Sequence, residues 1–366
     1  MILTGESLPA NYFSFLEPGE TTDMASIASP NTPVLDPGFA VGLAAYYTDL
    51  LQKLGSHSST ALKAVMSIDI QNEAFILPNC APFAGDQCVK AADGSAIASA
   101  APPIQSILVN GVIYHMDRDV DRQNLVDAAT VYLVSTVRAA VQAVDPSILV
   151  GLSVFTISES LAGLQPAPRF NGVHARTTSS FERYPVRPFI VGSYSDADYI
   201  DLHIYPSGPG WDMTTELASA EITAGRIFAK PVMMGEFGVS KAAFPNLQDA
   251  AAALERAQTD SCSFGFVGWG LWTWDTTSQT PPLWTAAELG GAINGVVAPG
   301  GRPQICAPVP AGLFQVPPAV AYSNGSHYCV FANPSDYYVL TGRSDFNGIA
   351  ALPRFPPLMP FDGACG

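Results

Sequence analysis

The sequence predicts an α/β fold of the (β/α)8 TIM-barrel type, lacking its first two strands and carrying a small β-rich C-terminal appendage. Three observations predict it. Short apolar runs alternate with amphipathic helical stretches from residue 38 to residue 275, the pattern of a parallel sheet with crossover helices. Two of those runs end in a carboxylate, at Glu73 and at Glu236, and the C-terminal ends of strands are where such barrels build their sites. Beyond residue 313 the alternation stops, and Tyr322, Tyr328, Phe331, Tyr337, Tyr338 and Phe346 accompany two cysteines.

Ile2-Leu3-Thr4 reads as the end of a strand, followed by a polar, Pro-punctuated loop over 8–37. The first helix runs from Gly38 to Leu54, with Phe39, Leu43, Tyr46, Leu50 and Leu51 on its apolar face and Gly55 as its stop. Leu62 to Ile70 is a strand delivering Gln71-Asn72-Glu73, and 74–116 is a long loop. A helix over 119–144 is broken by Asp145-Pro146, and Ile148 to Phe155 is the next buried strand. After an irregular segment rich in Arg, Ser and Thr, the strand over 197–206 carries His203 and Tyr205 near its end. A helix over 215–228 leads to Pro231-Val-Met-Met-Gly-Glu236-Phe-Gly238, whose apolar run up to one carboxylate reads as a buried parallel strand. A helix over 247–261 and a Trp-rich strand over 264–275, with Trp272 and Trp274, close the alternation.

Six strands are counted this way, and a closed barrel needs eight. The expectation is that two strands and their helices lie upstream of Met1. Residues 1–300 form the barrel domain, 301–312 a Pro-rich linker after a short Gly-rich stretch, and 313–366 a small aromatic, Cys-containing module with turn signals at Asn324-Gly325 and Asn347-Gly348. That module either packs as a disulfide-stapled unit or binds sugar through its aromatic faces.

Formal charge is −15, from 17 basic and 32 acidic residues, and no basic run occurs, which argues against nucleic acid as a partner. No apolar run reaches about 20 residues, so nothing reads as a membrane span. Met1 to Glu6 shows no signal-peptide pattern. Charged residues make up only 13% of the chain while aromatics, Pro and Gly are plentiful, a composition expected of an extracellular or otherwise exported enzyme; a monomer is expected. The six cysteines (80, 88, 262, 306, 329 and 365) show neither Cys-x-x-Cys nor zinc spacing. Cys80 with Cys88 can staple one loop and Cys329 with Cys365 can close the tail; the alternative is free buried thiols in a reducing compartment.

Glu73 and Glu236 are far enough apart in the chain to come from different strands of one sheet. Two strand ends on one face can hold two carboxyls at the roughly 5–5.5 Å that a retaining glycosidase requires, one to protonate the leaving oxygen and one to attack the anomeric carbon. The charge of the attacking carboxylate would raise the pKa of the acid beside it. Either Glu taken alone could instead be a structural acid paired with an Arg; the joint pattern is harder to explain that way.

Asn72-Glu73, His203-x-Tyr205, Gly235-Glu236-Phe237-Gly238 and the Trp-rich last strand, in this order and spacing, resemble glycoside hydrolase clan A, most closely family 5. The resemblance spans about residues 1–290 and leaves the tail outside it. It implies Glu73 as acid/base, Asn72 on the sugar 2-hydroxyl, Glu236 as nucleophile, and Tyr205 donating to Glu236 with His203 beside it. It also implies Trp272 as the floor under the sugar ring, with Trp274 its neighbour of the same strand parity, stacking being a way to bury apolar area without competing for hydroxyls. The family's early-strand Arg and its His near the third strand have no counterpart, since no Arg precedes Arg118 and the first His is His57. The implied activity is cleavage of a β-linked polysaccharide or oligosaccharide of glucan or mannan type, with no metal and no cofactor. The rival from another class is a non-catalytic carbohydrate-binding protein on a degenerate or truncated barrel. A metal-dependent hydrolase ranks third, because none of the five His lies four residues from another.

Overall fold

Chain order begins with β1 (Ile2–Thr4), helices α1 (Thr32–Leu35), α2 (Pro37–His57) and α3 (Ser59–Lys63), then β2 (Ser67–Asp69) and the two-residue β3 (Phe75–Ile76). A hairpin of β4 (Ser106–Val109) and β5 (Val112–His115) precedes the long helix α4 (Asp119–Val144) and β6 (Leu149–Phe155). Next come β7 (Pro166–Phe170), β8 (Val173–Thr178) and β9 (Phe181–Pro185), and then β10 (Tyr199–Ile204), β11 (Val232–Phe237) and β12 (Phe266–Leu271). This computed structural model describes residues 2–4, 8–9, 11–12, 29, 31–76, 80–83, 104–155, 166–170, 173–178, 181–219, 230–264, 266–276, 282–297, 312–316, 318–323, 328–351 and 361–365.

Strands β1, β2, β6, β10, β11 and β12 lie side by side in that order, each pair parallel. The sheet is the partial (β/α) barrel wall anticipated from the sequence, with six strands. Among the described residues, no strand pairing joins β12 back to β1. Every residue of β10 and all but the first of β6 are buried, as expected where helices cover a parallel sheet. Helix α2 starts where Pro37 pre-sets the first turn and Asp36 Oδ1 accepts from Gly38 N at 2.8 Å. It buries Phe39, Leu43, Tyr47 and Leu51 along one stripe. Helix α4 is fastened to the sheet by Arg138, whose Nε and Nη2 donate to Asp198 Oδ1 at 3.0 and 2.9 Å, while Asp198 Oδ2 accepts from Val150 N at 2.9 Å. One carboxylate thus joins α4, β6 and the entry to β10.

Several elements depart from expectation. Gly55 does not stop α2, which continues to His57 and ends at Ser58, whose hydroxyl caps α3 by accepting from Ala61 N at 3.1 Å. Leu62 and Lys63 therefore belong to a helix, and β2 is only three residues long. The expected loop over 74–116 contains β3 and the β4–β5 hairpin; Asn110 (φ 49°) and Gly111 (φ 76°) form its turn, both in the left-handed region that such turns require. The segment read as irregular holds the antiparallel β7–β8–β9 set and the helix Pro188–Tyr194. A helix over Glu288–Val297, with Leu289, Gly290 and Gly291 at positive φ, occupies the start of the stretch read as short and Gly-rich. Of the helix expected over 215–228, Met213–Ser219 is described; residues 220–229 lie outside the described residues, as does 301–311 of the expected linker.

The C-terminal residues form a mixed five-stranded sheet of β13 (Gly312–Val316), β14 (Ala319–Ser323), β15 (Tyr328–Val330), β16 (Ala350–Ala351) and β17 (Phe361–Ala364). Its order is β16-β13-β14-β15-β17, antiparallel in the centre and parallel at both edges. Val320, Tyr337 and Ile349 make a small core, Tyr337 coming from a helix capped by Asn333. A Cys329–Cys365 disulfide ties β15 to the residue after β17. Cys80 and Cys262 are also disulfide-bonded; the expected Cys80–Cys88 staple involves Cys88, outside the described residues.

The interior of the sheet is filled by large side chains on one strand facing glycines on the next. Tyr199 on β10 lies over Gly151 on β6, where a Cβ would come 2.4 Å from the ring. Asp201 faces Gly235 on β11, where a Cβ would meet its carboxylate oxygens at 2.0 and 2.1 Å. Gly151→Ala is accordingly expected to lower the denaturant midpoint by the equivalent of about 1–3 kcal/mol through overpacking. Combined with Tyr199→Leu it should cost less than the sum of the two single changes; strictly additive costs would show that the ring does not occupy that space.

Candidate active site

Strand β2 ends at Asp69, and its pairing with β6 resumes at Ala74, whose N–H donates to Ser153 O at 2.9 Å. The intervening residues form an excursion that leaves Glu73 at φ 51°, a left-handed conformation that costs an L residue free energy and is met chiefly where the surroundings enforce it. Asn72 precedes it, half-buried. On the far side, the register of β10 and β11 shifts between Asp201 and His203, so that His203 pairs with Glu236. A register irregularity of this kind re-aims a side chain without breaking the sheet. Here it sets Glu236 beside the imidazole.

The outcome is a carboxylate–imidazole–carboxylate cluster. His203 Nδ1 lies 3.1 Å from Glu73 Oε1 and 3.3 Å from Glu236 Oε2. Tyr205, one residue past β10, donates its hydroxyl to Glu236 Oε2 at 2.7 Å. Polar atoms of Glu73, His203 and Glu236 all lie within 4.8 Å of one another. His203 is 2% exposed, Glu236 15% and Glu73 26%, so the cluster opens toward solvent on the Glu73 side.

Electrostatics follow from burial and proximity. Burial works against charge on the imidazole, but the hydrogen bond to Glu73 and the charges of Glu236 and Asp201 outweigh it and hold the His203 pKa above the ordinary histidine value. Burial pushes the Glu236 carboxyl up, while the His203 charge and then the Tyr205 hydroxyl pull it back; it ends above its ordinary value, with the Glu73 charge adding to the rise.

Gly238 leaves room for Tyr205: a Cβ there would lie 2.4 Å from Trp272 O and 3.0 Å from Tyr205 Cε1. Trp272 N donates to Phe237 O at 2.9 Å, which places this tryptophan beside the residue after Glu236. It is 39% exposed, against 60% for Trp274, so Trp272 is the better placed of the two to present a partly sheltered ring face. Glu73, His203, Tyr205 and Glu236 are thus joined directly, Trp272 is adjacent through the backbone, Asn72 directly precedes Glu73, and Trp274 lines a hollow with Phe237, Gln258 and Leu271.

The same three groups, Glu73, His203 and Glu236, are the set among the described residues that could hold a cation. A proton on Nδ1 accounts for both of its short contacts, which are of hydrogen-bond length. Sequence reasoning missed three polar residues under the cluster, Asp69, Ser153 and Asp201. Asp201 had a signal in its parity, two residues before His203 on the same face of β10.

No family model matches the chain, and no curated protein matches it. Solved structures show distant likeness, among them two glycosidases. The endo-1,4-β-mannanase from Rhizomucor miehei is 14% identical with a TM-score of 0.45, over 75% of this chain and 65% of that one. The exo-β-1,4-mannosidase Op5Man5 from Opitutaceae bacterium strain TAV5 is 17% identical with a TM-score of 0.36, over 66% of this chain and 34% of that one. The chain therefore spans less than two-thirds of the length of either.

Tyr205→Phe deletes a hydrogen bond that favours the charged form of Glu236, so the Glu236 pKa is expected to rise further. A carboxyl-carbon NMR titration checks this, and an unmoved midpoint would contradict the assigned contact.

Proposed function

We propose that the chain is a retaining glycoside hydrolase that cleaves O-glycosidic bonds of a β-linked polysaccharide, of glucan or mannan type, by double displacement. The observation that carries the reading is the pair of carboxyls brought from the end of β2 and from β11, separated in the sheet by β6 and β10, with oxygens within 4.8 Å around one imidazole. Retaining enzymes hold their carboxyls about 5–5.5 Å apart, whereas inverting ones leave about 6.5–9.5 Å for a water.

Glu236 is assigned as nucleophile because Tyr205 and His203 both stabilise its carboxylate form. In the first step a Glu236 oxygen forms a bond to the anomeric carbon as the glycosidic C–O bond breaks, and Glu73 gives its proton to the departing oxygen. In the second, Glu73 takes a proton from the water that displaces Glu236, restoring both groups. Asn72 bonds the 2-hydroxyl, Trp272 supports the ring from below, and Trp274 extends the aromatic surface. None of these steps calls for a metal or an organic cofactor. The proposed domain plan remains a barrel over 1–300, a linker over 301–312 and a packing module over 313–366, in an exported monomer.

Reducing-sugar release from a panel of β-glucans and β-mannans tests the reading. The parent should turn over at least one polymer with retention of anomeric configuration and without sensitivity to EDTA. Glu236→Gln should abolish turnover, and Glu73→Gln should lower it by about 10²–10⁴-fold. Undiminished turnover by Glu236→Gln would refute the proposal. Polymer binding that persists in a Glu73→Gln, Glu236→Gln double variant, with no turnover by the parent, would favour the carbohydrate-binding alternative.

A further inference from the structure

Under the proposed acid and nucleophile lies a second set of ionisable groups that double displacement does not use. Asp69 on β2 and Asp201 on β10 are 5% and 6% exposed, and Ser153 on β6, between them, is fully buried. Ser153 Oγ is in hydrogen-bond contact with Asp69 Oδ2 and lies 3.2 Å from Asp201 Oδ2. Each Asp also accepts a backbone donor: Ser153 N reaches Asp69 Oδ1 at 2.8 Å, and Gly235 N reaches Asp201 Oδ1 at 2.6 Å.

Counting protons decides the state of this set. A serine hydroxyl carries one proton, and an ionised carboxylate only accepts. With both aspartates ionised, one of the two contacts to Ser153 would set lone pair against lone pair, and two like charges would share a buried space. Both contacts are satisfied when one carboxyl keeps its proton and donates to Ser153 Oγ, which in turn donates to the other. The surroundings determine which.

Asp201 has the Gly235 amide on one side and His203 above it, on the same strand face; burial holds its pKa above the ordinary carboxylate value, and His203, the Gly235 amide and Ser153 pull it only part of the way back. Asp69 is faced by Asp201 and Ser153, by His203 at longer range, and by the buried phenols of Tyr47 on α2 and Tyr199 on β10. Burial, and then the Asp201 charge, push Asp69 up to about 8.

We infer that Asp69, Ser153 and Asp201 form a one-proton relay that fixes a single negative charge on Asp201 beneath His203, making Asp201 a positioning residue for the Glu73–His203–Glu236 cluster. The donor sequence runs from Asp69 to Ser153 to Asp201. His203 is then faced by the carboxyls of Glu73, Glu236 and Asp201, and by the neutral ring of Phe155, 6.3 Å away edge-on. The charge from below helps keep the imidazole protonated, so that its Nδ1–H stays between the two upper carboxyls. The catalytic consequence rests on the glycosidase reading, whereas the protonation states do not.

The test needs no turnover, so its failure is distinct from failure of that reading. The imidazole midpoint of His203, identified by comparison with a His203→Gln variant, is followed by NMR in the parent, Asp201→Asn and Asp69→Asn proteins. Asp201→Asn should lower the midpoint by about one pH unit. Asp69→Asn should leave it near the parent value, because an amide replaces a protonated carboxyl as donor to Ser153. An unchanged midpoint in Asp201→Asn, or an equal fall in both variants, overturns the relay.

If Asp201→Asn does not fold, infrared difference spectra at pH 7 decide: parent minus Asp69→Asn should show the loss of one protonated-carboxyl stretch, distinct from any band of Glu73, which Glu73→Gln identifies. A difference spectrum without that lost band overturns the inference. Stability gives a third reading. With a pKa of 3.8 unfolded and about 8 folded, the Asp69 contribution is fully present below about pH 4 and is lost as pH rises through about 8. Relative to the parent, Asp69→Asn should therefore gain stability across that window; a constant difference would also count against the relay.

Discussion

One imidazole nitrogen between two carboxyls is the interaction on which the site is arranged. His203 Nδ1 is within hydrogen-bond reach of both Glu73 and Glu236, yet the ring is almost wholly buried. A buried cation is tolerated only when paired, and two carboxylates at this distance are tolerated only with a cation or a proton between them. The imidazole and Glu236 thus favour each other's charged form. Removing His203 leaves Glu73 and Glu236 facing each other with no donor between them.

The sheet holds this arrangement through row-by-row accommodation. Along β10, Tyr199, Asp201 and His203 point to the same side at the two-residue strand period, and Tyr205 continues the series just past the strand end. Beside them, Gly151 and Gly235 leave the space that the Tyr199 ring and the Asp201 carboxylate occupy. Gly238 plays the same part for Tyr205. The register shift on β11 completes the set by placing Glu236 opposite His203. Bulk on β10 and its absence on the neighbouring strands are two halves of one packing solution.

Much of this was legible in the sequence, and the reasons for success and failure are physical. Glu236 stood out because an apolar run ended at a carboxylate beside glycines, and the β10 strand with His203 and Tyr205 was readable from its continuous hydrophobicity. The count of six parallel strands was readable for the same reason. The helix at Leu62-Lys63 was missed because its short apolar residues fit a strand as well as a helix, and Ser58 as its cap sits inside a polar link. The β4–β5 hairpin carried its signal in Asn110-Gly111, but the long surrounding segment obscured it. The left-handed conformation at Glu73 and the shift that pairs His203 with Glu236 have no local signature, since each arises from the way neighbouring strands resume pairing.

The row under the cluster shows why strand parity deserves as much weight as composition. An Asp inside an apolar strand reads as an interruption when the strand is taken alone. Here Asp69 and Asp201 point to the barrel interior from two strands and meet a serine from the strand between them. Three positions that would weaken a purely apolar core become, together, a satisfied polar layer whose cost is offset by the Ser153 and Gly235 amides. Because Asp201 shares its strand face with His203, charge left on that layer is directed upward to the imidazole. The interior of the sheet therefore does more than support the strand ends: it sets the electrostatic environment in which they act.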